Sequence, residues 1–248
     1  NLRGPSLLID TACSSTLSAL HYACESIKRK ECGMAVVGAV DIHAYFDDKV
    51  PDMETEGRGG EEDLAAEKYP PRCRVFEKNA RNGVNGEGVG AVLLKPLKNA
   101  IEDKDIICAV IKGTAVSHNG TRTATISGQK PETQAEVILQ ALESAGIDPA
   151  SLSYIEANGA ATAMGDPIEI KALTNVFSRV TDRKEFCAIG SVKANIGHLN
   201  HASGMAGLLK VILSLQKKQI PPLALYKEPN PYIDFKNSPV YIDTEVKE

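Results

Sequence analysis

The sequence predicts an α/β fold with a largely parallel sheet. Three observations point there. Short apolar runs alternate with helical periodicities along most of the chain. The helical stretches carry start and stop signals. Strand–helix–strand order occurs on both sides of an acidic stretch at residues 47–71.

Residues 6–9 (Ser-Leu-Leu-Ile) form an apolar run ending at Asp10 and read as a buried strand. A turn of small residues, 11–15, follows. Leu17, Leu20, Cys24 and Ile27 then recur at spacings of three and four, which is one helix face, closed by Lys28, Arg29, Lys30 and Gly33. Residues 34–40 read as the next buried strand, completing a βαβ unit. Residues 47–71 are rich in Asp, Glu and Gly with no apolar period, and read as an exposed loop. Strands are expected at 88–95 and 106–112. Pro131 opens a helix whose apolar face is Val137, Ile138, Ala141, Leu142 and Ala145, with Gly146 at its end. A strand at 152–156, a helix from Asp166-Pro167 to Phe177, a strand at 186–192, a glycine turn and a helix over 202–216 complete the reading. The two halves share no convincing sequence repeat.

The 248 residues suffice for one domain with a substantial core or for two small ones. Apolar residues make up 43% and charged residues 24%, as in ordinary globular proteins. No apolar run approaches the ~18 residues of a membrane span, and residues 1–10 lack a basic region followed by a small-residue cleavage site, so no secretory signal is expected there. The net charge is −4 with scattered basic residues, which argues against nucleic acid as a partner. None of the six cysteines forms a C-x-x-C pair, so no metal site is expected, and the usage suits a cytoplasmic protein with mostly buried thiols. Cys24, Cys32, Cys108 and Cys187 read as packing residues. The reactive turn follows the opening strand at once, so a preceding portion of the domain is expected.

Three constellations carry chemistry. In the first, Asp10-Thr11-Ala12-Cys13-Ser14-Ser15, a cysteine sits where a strand turns into a helix. The partial positive charge and free N–H groups of a helix N-terminus favour a thiolate nucleophile, and the same N–H groups suit an oxyanion. The alternative is a small buried cysteine in a tight turn. In the second, residues 191–198, a strand ends in a glycine turn that presents His198, a possible hydrogen-bond donor to a substrate carbonyl, with Lys193 to anchor the imidazole or supply charge. His201 reads as packing; His21, His43 and His118 are assigned no catalysis. In the third, residues 154–169, a strand ends in a loop of small residues and a capped helix, where a ligand can approach the backbone closely.

Together these segments resemble the ketosynthase domains of modular polyketide synthases, among the thiolase-like condensing enzymes. Residues 10–15 match D-T-A-C-S-S, residues 72–76 match R-C-R-x-F, residues 86–90 match G-E-G-x-G, residues 165–169 match G-D-P-I-E and residues 193–198 match K-x-N-I-G-H. The resemblance implies a thiolase-like layered fold with mixed, largely parallel sheets. The remainder of the N-terminal ketosynthase half would span 1–100 and the C-terminal half 101–248; the family's N-terminal part and its C-terminal glycine–phenylalanine segment are not in this sequence. It further implies an acyl chain delivered by an acyl carrier protein on phosphopantetheine, with no tightly bound cofactor. Adjacent polyketide synthase domains and a second copy in a homodimer are the other implied partners. Cys13 would take the chain as a thioester. Two histidines would then hold the thioester of a malonyl-type unit as it loses carbon dioxide, and the enolate would attack the acyl group.

One of those histidines matches His198. The other is absent: where the family has H-G-T-G-T, this chain has Asn158-Gly159-Ala160-Ala161-Thr162. Ala160 stands where the family's first threonine meets the pantetheine arm, and Thr162 retains the second. Gly83 and Asn85 replace an aromatic residue and an arginine. Three readings follow. Cys13 accepts the chain and passes it on without condensation, as in polyketide lines whose acyltransferases act in trans, where loss of this histidine is the usual mark. Alternatively Asn158 substitutes as an amide donor and the domain condenses. Priming enzymes of fatty acid synthesis use one histidine and one asparagine, though there the asparagine takes the place matched by His198. The third reading, a non-catalytic dimer scaffold, leaves the retained Cys13 without purpose.

Overall fold

Helix α1 (Ser15–Lys28) forms where the sequence places Leu17, Leu20, Cys24 and Ile27 on one face, and Leu20 is buried. The computed structural model describes residues 3–43, 72–78, 80, 84–118 and 130–248. The acidic stretch at 47–71 and Gly83 lie outside the described residues. The remaining elements are β1 (Ala35–Asp41), β2 (Gly88–Leu94), α2 (Leu97–Glu102), α3 (Pro131–Ala145), β3 (Tyr154–Glu156), α4 (Gly165–Phe177), β4 (Cys187–Gly190), α5 (Lys193–Ile196), α6 (Ser203–Lys217) and β5 (Val240–Tyr241).

The alternation of strands and helices matches the predicted α/β class. Among the described residues two of the three strand pairings are parallel, β3 with β4 and β4 with β5, while β1 and β2 pair antiparallel. The N-terminal sheet packs one face on α1 and α6, where Leu20, Val37 and Met205 form a small core. The larger core lies around β4 and α4 and gathers Cys73, Val75, Phe76, Ile170, Phe177, Ile189 and Leu223. The helix signals hold: Pro131 opens α3, and Gly146 closes it at φ 62°, a left-handed conformation that costs glycine little.

Two predicted strands are not formed. Residues 6–9 enter no ladder, and Leu8 is 99% exposed, so the expected βαβ unit lacks its first strand. Residues 106–112 likewise enter no ladder, with Ile106 92% exposed. The physical reason is shared. A strand needs a neighbour to take its backbone hydrogen bonds, and an apolar run specifies burial without supplying that neighbour. The same stretch leaves Cys108 exposed, against the packing role expected for it; Cys187 is buried, while Cys24 and Cys32 are only partly so.

Candidate active site

The turn that carries Cys13 is built by short polar side chains. Ala12–Ser14 form one turn of 3-10 helix ahead of α1, and Ala12 adopts φ 54°. A left-handed alanine costs about 1–3 kcal/mol and persists only where its surroundings hold it. Here Asp10 Oδ1 accepts from the Ala12 N–H at 3.0 Å, Ser15 Oγ donates to the Ala12 carbonyl at 2.7 Å, and the Thr11 N–H donates to Ser15 Oγ at 2.9 Å. Cys13 is exposed at the tip.

His198 reaches the same point from far along the chain. Gly197 adopts φ 83°, and a Cβ there would lie 2.8 Å from the Val84 carbonyl oxygen, so the turn requires glycine. The His198 N–H donates to Val84 O at 2.8 Å and its carbonyl accepts from the Gly86 N–H at 2.9 Å, which gives the G-E-G segment its purpose. The result is a distance of 3.2 Å between Cys13 Sγ and His198 Nε2. His198 Nδ1 faces two donors, the Asn200 N–H at 2.8 Å and Ser203 Oγ at 3.1 Å. A backbone N–H can only donate, so Nδ1 carries no proton and Nε2 does. Burial, then the charge of Lys193, pushes the His198 pKa below its ordinary value, in keeping with this neutral tautomer. His198 thus aims an N–H at Sγ and is built as a donor.

Of the two roles read for Lys193, anchoring the imidazole falls to Asn200 and Ser203, while its charge does bear on His198. The Lys193 ammonium instead donates to Asn158 O at 2.5 Å and Asn158 Oδ1 at 3.0 Å. Burial lowers the Lys193 pKa, opposed by the nearby charges of Glu169 and Cys13. The loop after β3 is further clamped by Glu169, which accepts from the N–H groups of Asn158 (2.7 Å) and Gly159 (2.8 Å). Gly159 itself has φ 49°, and a Cβ there would lie 2.5 Å from Val75 Cγ1.

Thr162 has a local role: its hydroxyl accepts from the Gly165 N–H at 2.9 Å where α4 begins. Ala160, partly buried, adds only a methyl group to the loop. Buried Asp166 receives the Phe76 N–H at 2.7 Å, tying the R-C-R-x-F segment to α4. Sequence reasoning missed Asn200 and Ser203, whose only signal was their place just after the histidine. It also read His201 as packing, whereas that ring lies between Asp10 and Asp41. Among the described residues no cluster of three or more His, Cys, Asp or Glu side chains is arranged to hold a metal ion. No helix among them is long and apolar enough to cross a membrane.

Comparison with known proteins agrees with this geometry. Residues 1–100 match the beta-ketoacyl synthase N-terminal domain and residues 108–227 the beta-ketoacyl synthase C-terminal domain. The chain is 45% identical to the polyketide synthase PksL of Bacillus subtilis over 252 residues and 44% identical to PksM of the same organism over 248. It is covered completely in both cases but spans only 5% and 6% of those relatives. Among solved structures, ketosynthase twelve of the bacillaene polyketide synthase of Bacillus amyloliquefaciens superposes with a TM-score of 0.89 at 36% identity, covering 99% of this chain and 42% of that one. The module 1 ketosynthase of the bacillaene synthase of that organism gives 0.87 at 38% identity, covering 100% and 45%. With a thiolase-like α/β fold and matches to both halves of the enzyme, the chain belongs to the beta-ketoacyl synthase family and is similar to the ketosynthase domains of polyketide synthases.

Proposed function

We propose that this chain accepts an acyl group on Cys13 from the phosphopantetheine arm of an acyl carrier protein and passes it on without condensation. Cys13 Sγ attacks the thioester carbonyl. A new C–S bond forms, the bond to the carrier's sulfur breaks, and the carrier leaves as a thiol with the proton from Cys13. The observation that carries this reading is the 3.2 Å approach of His198 Nε2 to Cys13 Sγ, with the ring fixed as a donor. Acylation needs that pair. Condensation needs two donors on the malonyl thioester oxygen, where negative charge grows as carbon dioxide leaves.

At the second donor position stands Asn158. A neutral amide donates more weakly than an imidazole that can take up charge, and loss of one such donor costs roughly 100- to 1000-fold in other enzymes. Ala160, assigned to the arm by resemblance, supports the same reading because it has no hydroxyl; Thr162 retains one, which accepts from the Gly165 N–H and keeps its own proton to donate. One observation favours the condensing alternative. With Oδ1 held by Lys193, the remaining polar atom of the Asn158 side chain is its amide nitrogen, a donor.

The reading places the protein in the cytoplasm beside carrier and other polyketide synthase domains. It divides the chain into halves at 1–100 and 101–248. It also includes a homodimer; the exposed Leu7 and Leu8, outside any ladder, are in keeping with an interface there.

The test supplies the full-length protein with an acyl carrier and a malonyl carrier. Acyl-Cys13 should accumulate with little carbon dioxide and no elongated product, Cys13→Ala should abolish the adduct, and Asn158→His should restore some decarboxylation. Efficient elongation by the unmodified protein would establish the condensing alternative.

A further inference from the structure

A second group of titratable side chains lies beside the nucleophile turn. His201 sits in the 3-10 turn Asn200–Ala202, three residues after His198. Its Nδ1 is 3.0 Å from Asp41 Oδ2 and its Nε2 is 3.2 Å from Asp10 Oδ1. A neutral imidazole has one N–H, so the imidazolium alone satisfies both carboxylates. The His201 N–H also donates to Asp41 Oδ2 at 3.1 Å, and its carbonyl accepts from Thr16 Oγ1 at 2.6 Å. This one residue therefore joins the end of β1, the start of α1, the Cys13 turn and the turn that carries His198.

We propose that His201, bridging Asp10 and Asp41, is a positioning residue that holds the Cys13 turn against His198. Asp10 is the link. The same oxygen that faces His201 accepts from the N–H of Ala12, whose left-handed backbone sets the direction of Cys13. If Asp10 is released, the Ala12 N–H loses its carboxylate acceptor and the residue is held through its carbonyl by Ser15, so the turn loosens and the 3.2 Å contact opens.

The device is sensitive to pH. Facing His201 among the described residues are Asp10 from the nucleophile turn and Asp41 from β1, while α1 presents the Thr16 hydroxyl. Behind Asp41 stands His43, its Nε2 3.1 Å from Asp41 Oδ1 and its N–H on Glu87 Oε1 at 2.7 Å, at the start of β2. Three residues before it in the chain stands His198. The hydrogen bond and charge of Asp41, joined by Asp10, raise the His201 pKa above its ordinary value of 6.5. The bridge is therefore complete below pH 6.5 and is lost as pH rises through the raised value.

The test compares the full-length wild-type protein with His201→Ala, Asp10→Asn and the double variant from pH 5.5 to 8.5. An asparagine at position 10 keeps an acceptor for the Ala12 N–H but removes the charge, and this exposed position tolerates the change in folding. The first readout is alkylation of Cys13 by iodoacetamide, located by peptide mass, which needs no acyl transfer. The second, which rests on the acyl-transfer reading, is acylation by the butanoyl thioester of N-acetylcysteamine. At pH 6 both single variants should react about 3- to 10-fold more slowly than wild type, with half-saturation by the thioester unchanged. The double variant should be no slower than either, and the ratio should approach one as pH rises. Wild-type alkylation rates in both single variants at pH 6, a ratio constant with pH, or effects that multiply in the double variant would overturn the proposal. If wild-type Cys13 is alkylated but never acylated, the acyl-transfer reading fails and this one is judged on alkylation alone.

Discussion

Lys193 donates to both oxygens of Asn158, the backbone carbonyl at 2.5 Å and the side-chain Oδ1 at 3.0 Å. The contact orients the amide and holds the loop after β3 in place. Glu169 completes it from below, accepting two N–H groups while lying near the ammonium. Lys193→Met keeps the volume but takes this donor from Asn158 Oδ1 and leaves Glu169 without its nearby cation, while Asn158 O keeps the Ser191 hydroxyl. Removing the partner of a buried polar group costs roughly 1–3 kcal/mol. We expect faster hydrogen exchange across residues 158–165 and poorer acylation of Cys13. Unchanged exchange would show that Glu169 alone holds the loop.

The protonation of His198 predicts an acid limb. Burial and Lys193 depress its pKa below 6.5, and its Nδ1 accepts from Asn200. A depressed histidine contributes stability that is present above its unfolded value and lost as pH falls through the folded one. Protonation of Nδ1 must expel the Asn200 N–H. In His201→Ala, where the bridge no longer titrates, the rate of acyl-Cys13 formation should therefore hold steady down to pH 6.5 and fall only below it. A limb centred above 6.5 that persists in His201→Ala would contradict the donor tautomer.

Asp166 separates packing from charge. Burial raises its pKa to about 6, against the hydrogen bonds it accepts from Phe76 and Thr162. The shift favours the protonated form, so its contribution to stability is greatest below pH 3.8 and is lost as pH rises through about 6. At neutral pH an ionised carboxylate is thus held at a cost that a neutral amide avoids. Asp166→Asn keeps an acceptor for Phe76 and should be milder than Asp166→Ala, which orphans two N–H groups for roughly 1–3 kcal/mol. Hydrogen exchange at residues 76 and 162 measures the difference; equal effects would mean that the acceptor an asparagine retains contributes nothing.

What the sequence revealed depended on how local the physics was. α1, α3, α4 and α6 were legible because periodicity and caps such as Pro131 and Gly146 lie within a few residues of each other. Residues 6–9 and 106–112 were misread because strand formation depends on a partner that an apolar run does not specify. Cys13 and His198 were found through their motifs, yet their contact spans 185 residues and no spacing encodes it. Lys193 was singled out as an anchor for the imidazole or a source of nearby charge; its charge does bear on His198, but its hydrogen bonds to Asn158 bridge 35 residues and no spacing encodes them. His201 resembled packing because its two carboxylates come from distant segments.

Gly197 offers the sharpest test of how His198 is held. Its φ of 83° lies in a region that side chains rarely adopt, and a Cβ would come within 2.8 Å of Val84 O and 3.2 Å of Gly86 N. Both are backbone atoms, so no side chain can swing away to make room. These are also the groups that fix His198, through its N–H to Val84 O and its carbonyl to Gly86 N. Gly197→Ala must therefore displace either residues 84–86 or the histidine, and both movements separate Nε2 from Cys13 Sγ. Misplacement of a reacting group by about 1 Å can cost about 100-fold in rate. We expect acylation of Cys13 to fall by about 10- to 100-fold, while hydrogen exchange in α3 and α4, which pack elsewhere, stays at wild-type levels. Acylation at the wild-type rate would show that the G-E-G segment yields freely, and that Asn200 and Ser203 suffice to hold the ring.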